Sequence, residues 1–145
     1  MATDFQVVID CADPAGLARF WTTALGYVLQ DPPSGFATWQ DFLRAEGVPK
    51  EDWNAASAVV DPEGDRPRIY FQRVPEAKSV KNRVHLDLNV GPGMAAPLEE
   101  RRRVVDAEVE RLRSIGASVF RPGSVERGEY WVVMQDPEGN EFCVQ

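Results

Sequence analysis

His85 is the only histidine in the chain. It stands in the run Val84-His85-Leu86-Asp87-Leu88-Asn89-Val90, where apolar and polar residues alternate. An imidazole can ligate a metal or move a proton near neutral pH. Three other stretches alternate in the same way. Gln6 and Asp10 stand against Phe5, Val7, Ile9 and Cys11, Tyr70 and Gln72 against Ile69 and Phe71, and Glu141 and Cys143 against Phe142 and Val144. If Asp10 and Asp87 lie close together, one of them has a raised pKa and can act as a base. The alternative is that they pair with arginines such as Arg68 or Arg83. Cys143 would need His85 as its partner to act as a nucleophile, and is otherwise a small packing residue. The candidates for chemistry are therefore His85, Asp10 and Asp87.

These residues must be positioned by strands, because only a period of two puts them on one face. The apolar faces then pack on the two helices, the only large apolar stripes available. The first helix follows Asp13, a good N-cap, and Pro14, well suited to a first helical position. It places Leu17, Phe20, Trp21, Ala24 and Leu25 on one face and ends at Gly26. The second, more charged, runs to about Ser114 with Val105, Val109, Leu112 and Ile115 inward and Gly116 at its end. Cys11, Phe20 and Trp21 are expected in the core. The opposite strand faces carry short polar groups (Gln6, Asp10, Tyr70, Gln72, His85, Asp87, Asn89, Glu141, Cys143) that suit a half-enclosed cleft better than open water. Trp39, Trp53, Tyr130 and Trp131 are the aromatics available to stack on a flat ligand.

The quartet Asp-Pro-Glu-Gly occurs at 61–64 and again at 136–139. Its composition is that of a turn and needs no functional role. Around each copy the same order of elements recurs: strand, helix ending in glycine, strand, strand, quartet, strand. The chain is read as a tandem duplication, module one covering about 4–75 and module two about 81–145 of a single domain, 1–145. From Gly26 to Asp61 is 35 residues, whereas from Gly116 to Asp136 is 20. The excess falls at about 31–57, which is either a lid over a binding site or a cover on an open sheet edge.

Composition narrows the function classes. A net charge of -7 and no basic cluster interleaved with aromatics argue against nucleic acid. Arg101-Arg102-Arg103 reads as a solvated helix face. No apolar stretch approaches the roughly 20 residues of a membrane span, and the N-terminus has no signal-peptide pattern. With two cysteines and no zinc-module spacing, a cytoplasmic setting is expected.

The stretches "VVIDCADPAGLARFWTTALGY", "RIYFQRVPEAKSVKNRVHLDLNV" and "YWVVMQDPEGNEFCVQ" resemble the vicinal oxygen chelate superfamily, in particular glyoxalase-like and bleomycin-resistance-type domains of actinobacterial type. The resemblance implies an α+β fold of two tandem βαβββ modules, forming a curved mixed sheet around a concave cleft. Metal-dependent members place His or Gln on the first strand of each module and Glu on the last. Carried over by motif, the first-strand positions are Gln6 and His85, and the last-strand positions are Tyr70 and Cys143. A register matching Asp10 with Asp87 would instead pair Val8 with His85. Both carboxylate ligands are missing, and the remaining set suits a divalent metal poorly. Any metal would rest on His85 and Gln6, and no cofactor is expected. The resemblance thus implies a small-molecule-binding protein, either sequestering its ligand or using metal-free acid–base chemistry. The alternative is a metal-dependent lyase, isomerase or dioxygenase of glyoxalase type. A homodimer fits the family's habit and the open sheet edges.

Overall fold

Asp13 starts the first helix as its sequence position requires: its side chain accepts a hydrogen bond from the Gly16 amide at 3.1 Å. In the computed structural model, which describes residues 1–145, the chain divides into two units, Met1–Ala77 and Lys78–Gln145.

The first unit comprises β1 (Val7–Cys11), α1 (Pro14–Leu25), β2 (Val28–Leu29), α2 (Trp39–Ala45), a short 3-10 turn (Lys50–Asp52), β3 (Ala56–Val60) and β4 (Ile69–Arg73). Its four strands form one mixed sheet in the order β1-β4-β3-β2, with β1 and β4 parallel. The second unit comprises β5 (Asp87–Leu88), α3 (Leu98–Ser114), β6 (Ser118–Glu126), β7 (Glu129–Gln135) and β8 (Glu141–Val144). Its sheet has the corresponding order β5-β8-β7-β6, with β5 and β8 parallel. Each unit is a βαβββ module, and the fold is α+β.

Each core lies between helix and sheet. In the first unit Leu17, Phe20 and Trp21 of α1 are buried with Val59, Ile69 and Phe71 of the strands, and Cys11 joins them. Phe20 and Trp21 meet edge to face at 5.2 Å. Gly26 then ends α1 in the left-handed region, φ 71°, which glycine adopts without a Cβ penalty. In the second unit Val105, Val109 and Leu112 of α3 are buried along with Val132, Met134, Phe142 and Val144. Glu99 and Glu100 open α3 and Arg111 and Arg113 close it, matching the helix dipole at both ends. No helix is long and apolar enough to cross a membrane.

The two Asp-Pro-Glu-Gly quartets build the same turn. Asp61 Oδ1 accepts from the Glu63 amide and Asp136 Oδ1 from the Glu138 amide, at 3.1 and 2.9 Å. Both aspartates are buried.

Three expectations are corrected. The alternating stretch around His85 is a paired strand only at Asp87–Leu88, and Val84 is 83% exposed. β5 lies at the sheet edge with β8 as its neighbour, and just upstream the Leu86 carbonyl still accepts the Cys143 amide at 2.9 Å. Phe5 likewise precedes β1 and is exposed rather than packed on α1. The run Arg101–Arg103 is more than a solvated face. Arg101 donates to the Ala96 and Gly128 carbonyls, and Arg102 stacks over the Tyr130 ring.

Candidate functional site

The strand ladders fix which residues of the two modules correspond. A shift of 75 residues carries Asp61 onto Asp136 and Ala58 onto Val133. Ala58 pairs with Tyr70, and Val133 pairs with Cys143. Tyr70 in turn pairs with Val8 across the parallel ladder, and Cys143 with Asp87. Tyr70 and Cys143 are therefore equivalent, as are Val8 and Asp87. Two residues upstream, Gln6 corresponds to His85, and the register pairing Val8 with His85 is excluded.

In the second module His85 and Asp87 come together. His85 Nε2 is 3.3 Å from Asp87 Oδ1, and both side chains are substantially exposed. Cys143 lies beside them, buried. Burial and then the Asp87 carboxylate push its thiol up to about 11, so at neutral pH it is a hydrogen-bond donor to Asp87 and no nucleophile. The potential ligand atoms of His85, Asp87 and Cys143 all lie within 4.8 Å of one another.

Glu141 is withdrawn from any ligand. It is 5% exposed, its Oε2 lies 3.0 Å from Lys78 Nζ, and it accepts the Asn82 amide at 3.0 Å. Burial opposes ionisation, but the Asn82 amide and Lys78 outweigh it and bring the carboxyl down to about 2. Asn89 accepts from Gln145 Nε2 at 2.9 Å. Tyr130 is not a stacking platform. It is buried on the α3 side, donates to Asp106 at 2.6 Å and crosses Gly123 so closely that a Cβ there would collide with its hydroxyl. Trp131 is half-buried on the opposite face of β7.

In the first module Gln6, just before β1, keeps the alternation of Val8 and Asp10, whose partners are Tyr70 and Gln72. Asp10 and Gln72 are exposed. Arg68 does not pair with Asp10. Its Nη1 donates to Gln6 Oε1 at 2.8 Å and its Nε to Gln30 Oε1 at 2.6 Å, and the guanidinium stacks over the Tyr70 ring at 5.2 Å.

The insertion closes over this region. Asn54 binds it to the start of α1, accepting from the Ala15 amide and donating to Asp13, both at 2.8 Å. Trp39 Nε1 donates to the Gln30 carbonyl and Trp53 Nε1 to the Val48 carbonyl. Between insertion and sheet lies a cavity of about 700 Å³. Trp39, Leu43, Val48 and Trp53 line it from the insertion, and Ala56, Ala58, Arg68 and Tyr70 line it from the strands. The insertion is thus a wall of a cavity rather than a bare edge cover. Neither Gln30 nor Asn54 stands out in the sequence, and Arg68 does so only as a possible partner of Asp10. Arg68 alone carried a signal, since it alternates in phase with Tyr70 and Gln72.

The four positions that the superfamily uses for a divalent metal can now be tested on donor chemistry. Gln6 Oε1 is occupied by a cation, the Arg68 guanidinium, and Tyr70 lies under the same charge. A phenol and an amide facing a guanidinium are poor partners for a divalent metal. The first-module half does not fit. The second-module half offers His85, Cys143 and the Asp87 carboxylate, a set that could hold a metal once the thiol gave up its proton.

The sequence pattern of the glyoxalase-like domain family matches residues 6–145, nearly the whole chain. The chain belongs to this family, within the vicinal oxygen chelate superfamily. Several solved glyoxalase-like structures share its fold. A glyoxalase/bleomycin resistance protein/dioxygenase family enzyme from Burkholderia phytofirmans PsJN is 17% identical, covers 96% of this chain and 94% of its own, and superposes with a TM-score of 0.61. A possible glyoxalase from Bacillus cereus is 16% identical, with coverages of 97% and 95% and a TM-score of 0.58. The fosfomycin resistance protein FosX from Listeria monocytogenes, complexed with Mn(II) and a dihydroxypropylphosphonic acid, is 10% identical, with coverages of 100% and 90% and a TM-score of 0.62. At such identities the likeness establishes the fold alone. No curated protein matches the sequence.

Proposed function

We propose that this glyoxalase-like chain binds a small organic molecule without the metal that many relatives use. The observation that carries the reading is Arg68. Its guanidinium holds Gln6, the first-strand metal position of module one, and lines the cavity of about 700 Å³ beneath the insertion. A cavity of that size, with aromatic and aliphatic walls and a few polar groups, has the form of a small-molecule site. Its walls are formed within one module, so the site does not depend on the missing glutamates.

A second reading is favoured by one observation of its own. The His85–Asp87 contact of 3.3 Å gives the imidazole a carboxylate that can orient it, the pairing a general acid or base requires. Metal-free acid–base chemistry at His85 is the corresponding enzymatic proposal, with Asp87 as the orienting group.

The test of the metal-free reading is elemental analysis of protein purified without chelator, then incubated with Zn, Mn, Fe(II), Ni and Co and desalted. Far less than one metal per chain supports it. About one equivalent, lost in His85→Ala, overturns it in favour of a glyoxalase-type metal mechanism.

A further inference from the structure

We infer that the first-module cavity selects organic anions, an arene carboxylate fitting best, with Arg68 as the residue that binds the charge. This rests on the reading of that cavity as the ligand site and specifies what it takes.

The chain as a whole carries -7, whereas the cavity lining holds more basic than acidic residues. Arg68 and Lys50 both line the cavity. The one acidic residue lining it, Asp52, is already ion-paired at 3.1 Å with Arg73, which is not part of the lining. Arg68 has no carboxylate of its own: its hydrogen bonds go to the side-chain carbonyls of Gln6 and Gln30. Those amides orient the guanidinium without neutralising it. Its Nη2 hydrogen-bonds to no protein atom.

A partly buried guanidinium without a carboxylate partner can donate a charge-assisted hydrogen bond to an incoming anion. Held at Nε and Nη1 by two glutamines, this group is pre-organised to present its remaining edge to an acceptor, and pre-organisation saves entropy on binding. A guanidinium held by two amides suits a carboxylate, and Lys50 adds a second cation to the lining. The remaining walls, Trp39, Leu43, Trp53 and Tyr70, supply flat and apolar surface for an aromatic body.

The experiment compares 2-naphthoate with 2-naphthamide, which share their shape and differ in charge, by calorimetry on the full chain at fixed ionic strength. The inference expects the carboxylate to bind at least about tenfold more tightly than the amide, or about 1.4 kcal/mol. Arg68→Gln should erase that preference, and Arg68→Lys should retain part of it. If the two probes bind the wild-type chain equally, or the amide binds better, the anion inference fails while the cavity reading stands. If neither binds, the cavity reading fails and the inference with it. A preference that survives in Arg68→Gln contradicts the assignment to Arg68. The wild-type comparison decides the matter even if Arg68→Gln does not fold.

Discussion

Gln6 Oε1 and Arg68 Nη1 are 2.8 Å apart, 62 residues from one another in sequence. This contact places a fixed positive charge where a metal-dependent relative would place a ligand atom. Converting Gln6 to glutamate would give Arg68 its own counter-charge. Gln6→Glu is expected to weaken 2-naphthoate binding about tenfold while changing stability by less than about 1 kcal/mol, since half-exposed ion pairs contribute little. Calorimetry and urea denaturation on the same preparation check both halves.

Lys78 and Glu141 tie the beginning of the second module to its last strand. Glu141→Ala would leave the Asn82 amide without its acceptor and the Lys78 ammonium with the Val80 carbonyl but no counter-charge, at a cost of about 2 kcal/mol in urea denaturation at pH 7. The sign of the pH dependence follows from the carboxyl being held at about 2 in the fold against 4.5 ordinarily. Its contribution is full above 4.5 and is lost as pH falls from there toward 2. The wild-type chain should therefore lose more stability between pH 5 and pH 3 than the Glu141→Ala variant.

Cys143 should behave as an inert thiol. With its pKa pushed up to about 11 by burial and Asp87, iodoacetamide should alkylate it slowly at pH 7.5 and faster as pH rises toward 11. Asp87→Asn removes the neighbouring charge and should accelerate the reaction at pH 7.5. Mass spectrometry of the Cys143 peptide reads the rate apart from Cys11.

Asn54 is the stitch that holds the insertion to α1 through Asp13 and the Ala15 amide. Asn54→Ala removes both hydrogen bonds and should cost about 1–2 kcal/mol in urea denaturation. Because the insertion walls the cavity, the same variant should bind 2-naphthamide more weakly. An unchanged amide affinity would place the ligand elsewhere.

Much of this architecture was legible in the chain. The repeated quartet, the glycine helix stops and the alternation of the strands led to two βαβββ modules because each is a local rule of backbone geometry. The equivalence of Gln6 with His85 was one of two registers, and only the ladders Ala58–Tyr70–Val8 and Val133–Cys143–Asp87 separated them. Alternation put Glu141 on the polar face, yet its partners Lys78 and Asn82 lie about sixty residues upstream and no local pattern announces them. Arg68 failed for a related reason. Its phase with Tyr70 was visible, but the preference of its guanidinium for two amides over Asp10 depends on where β1 and Gln30 arrive in three dimensions. No local pattern shows that Tyr130 packs across Gly123, because that glycine lies on a neighbouring strand.

The most direct test of ligand binding without a metal is one calorimetric titration, 2-naphthoate into chelator-treated protein, repeated after Mn(II) and Zn are added in turn. The account predicts saturable binding with about one site per chain and an affinity that the added metals leave unchanged. Binding that appears only with metal present would contradict it.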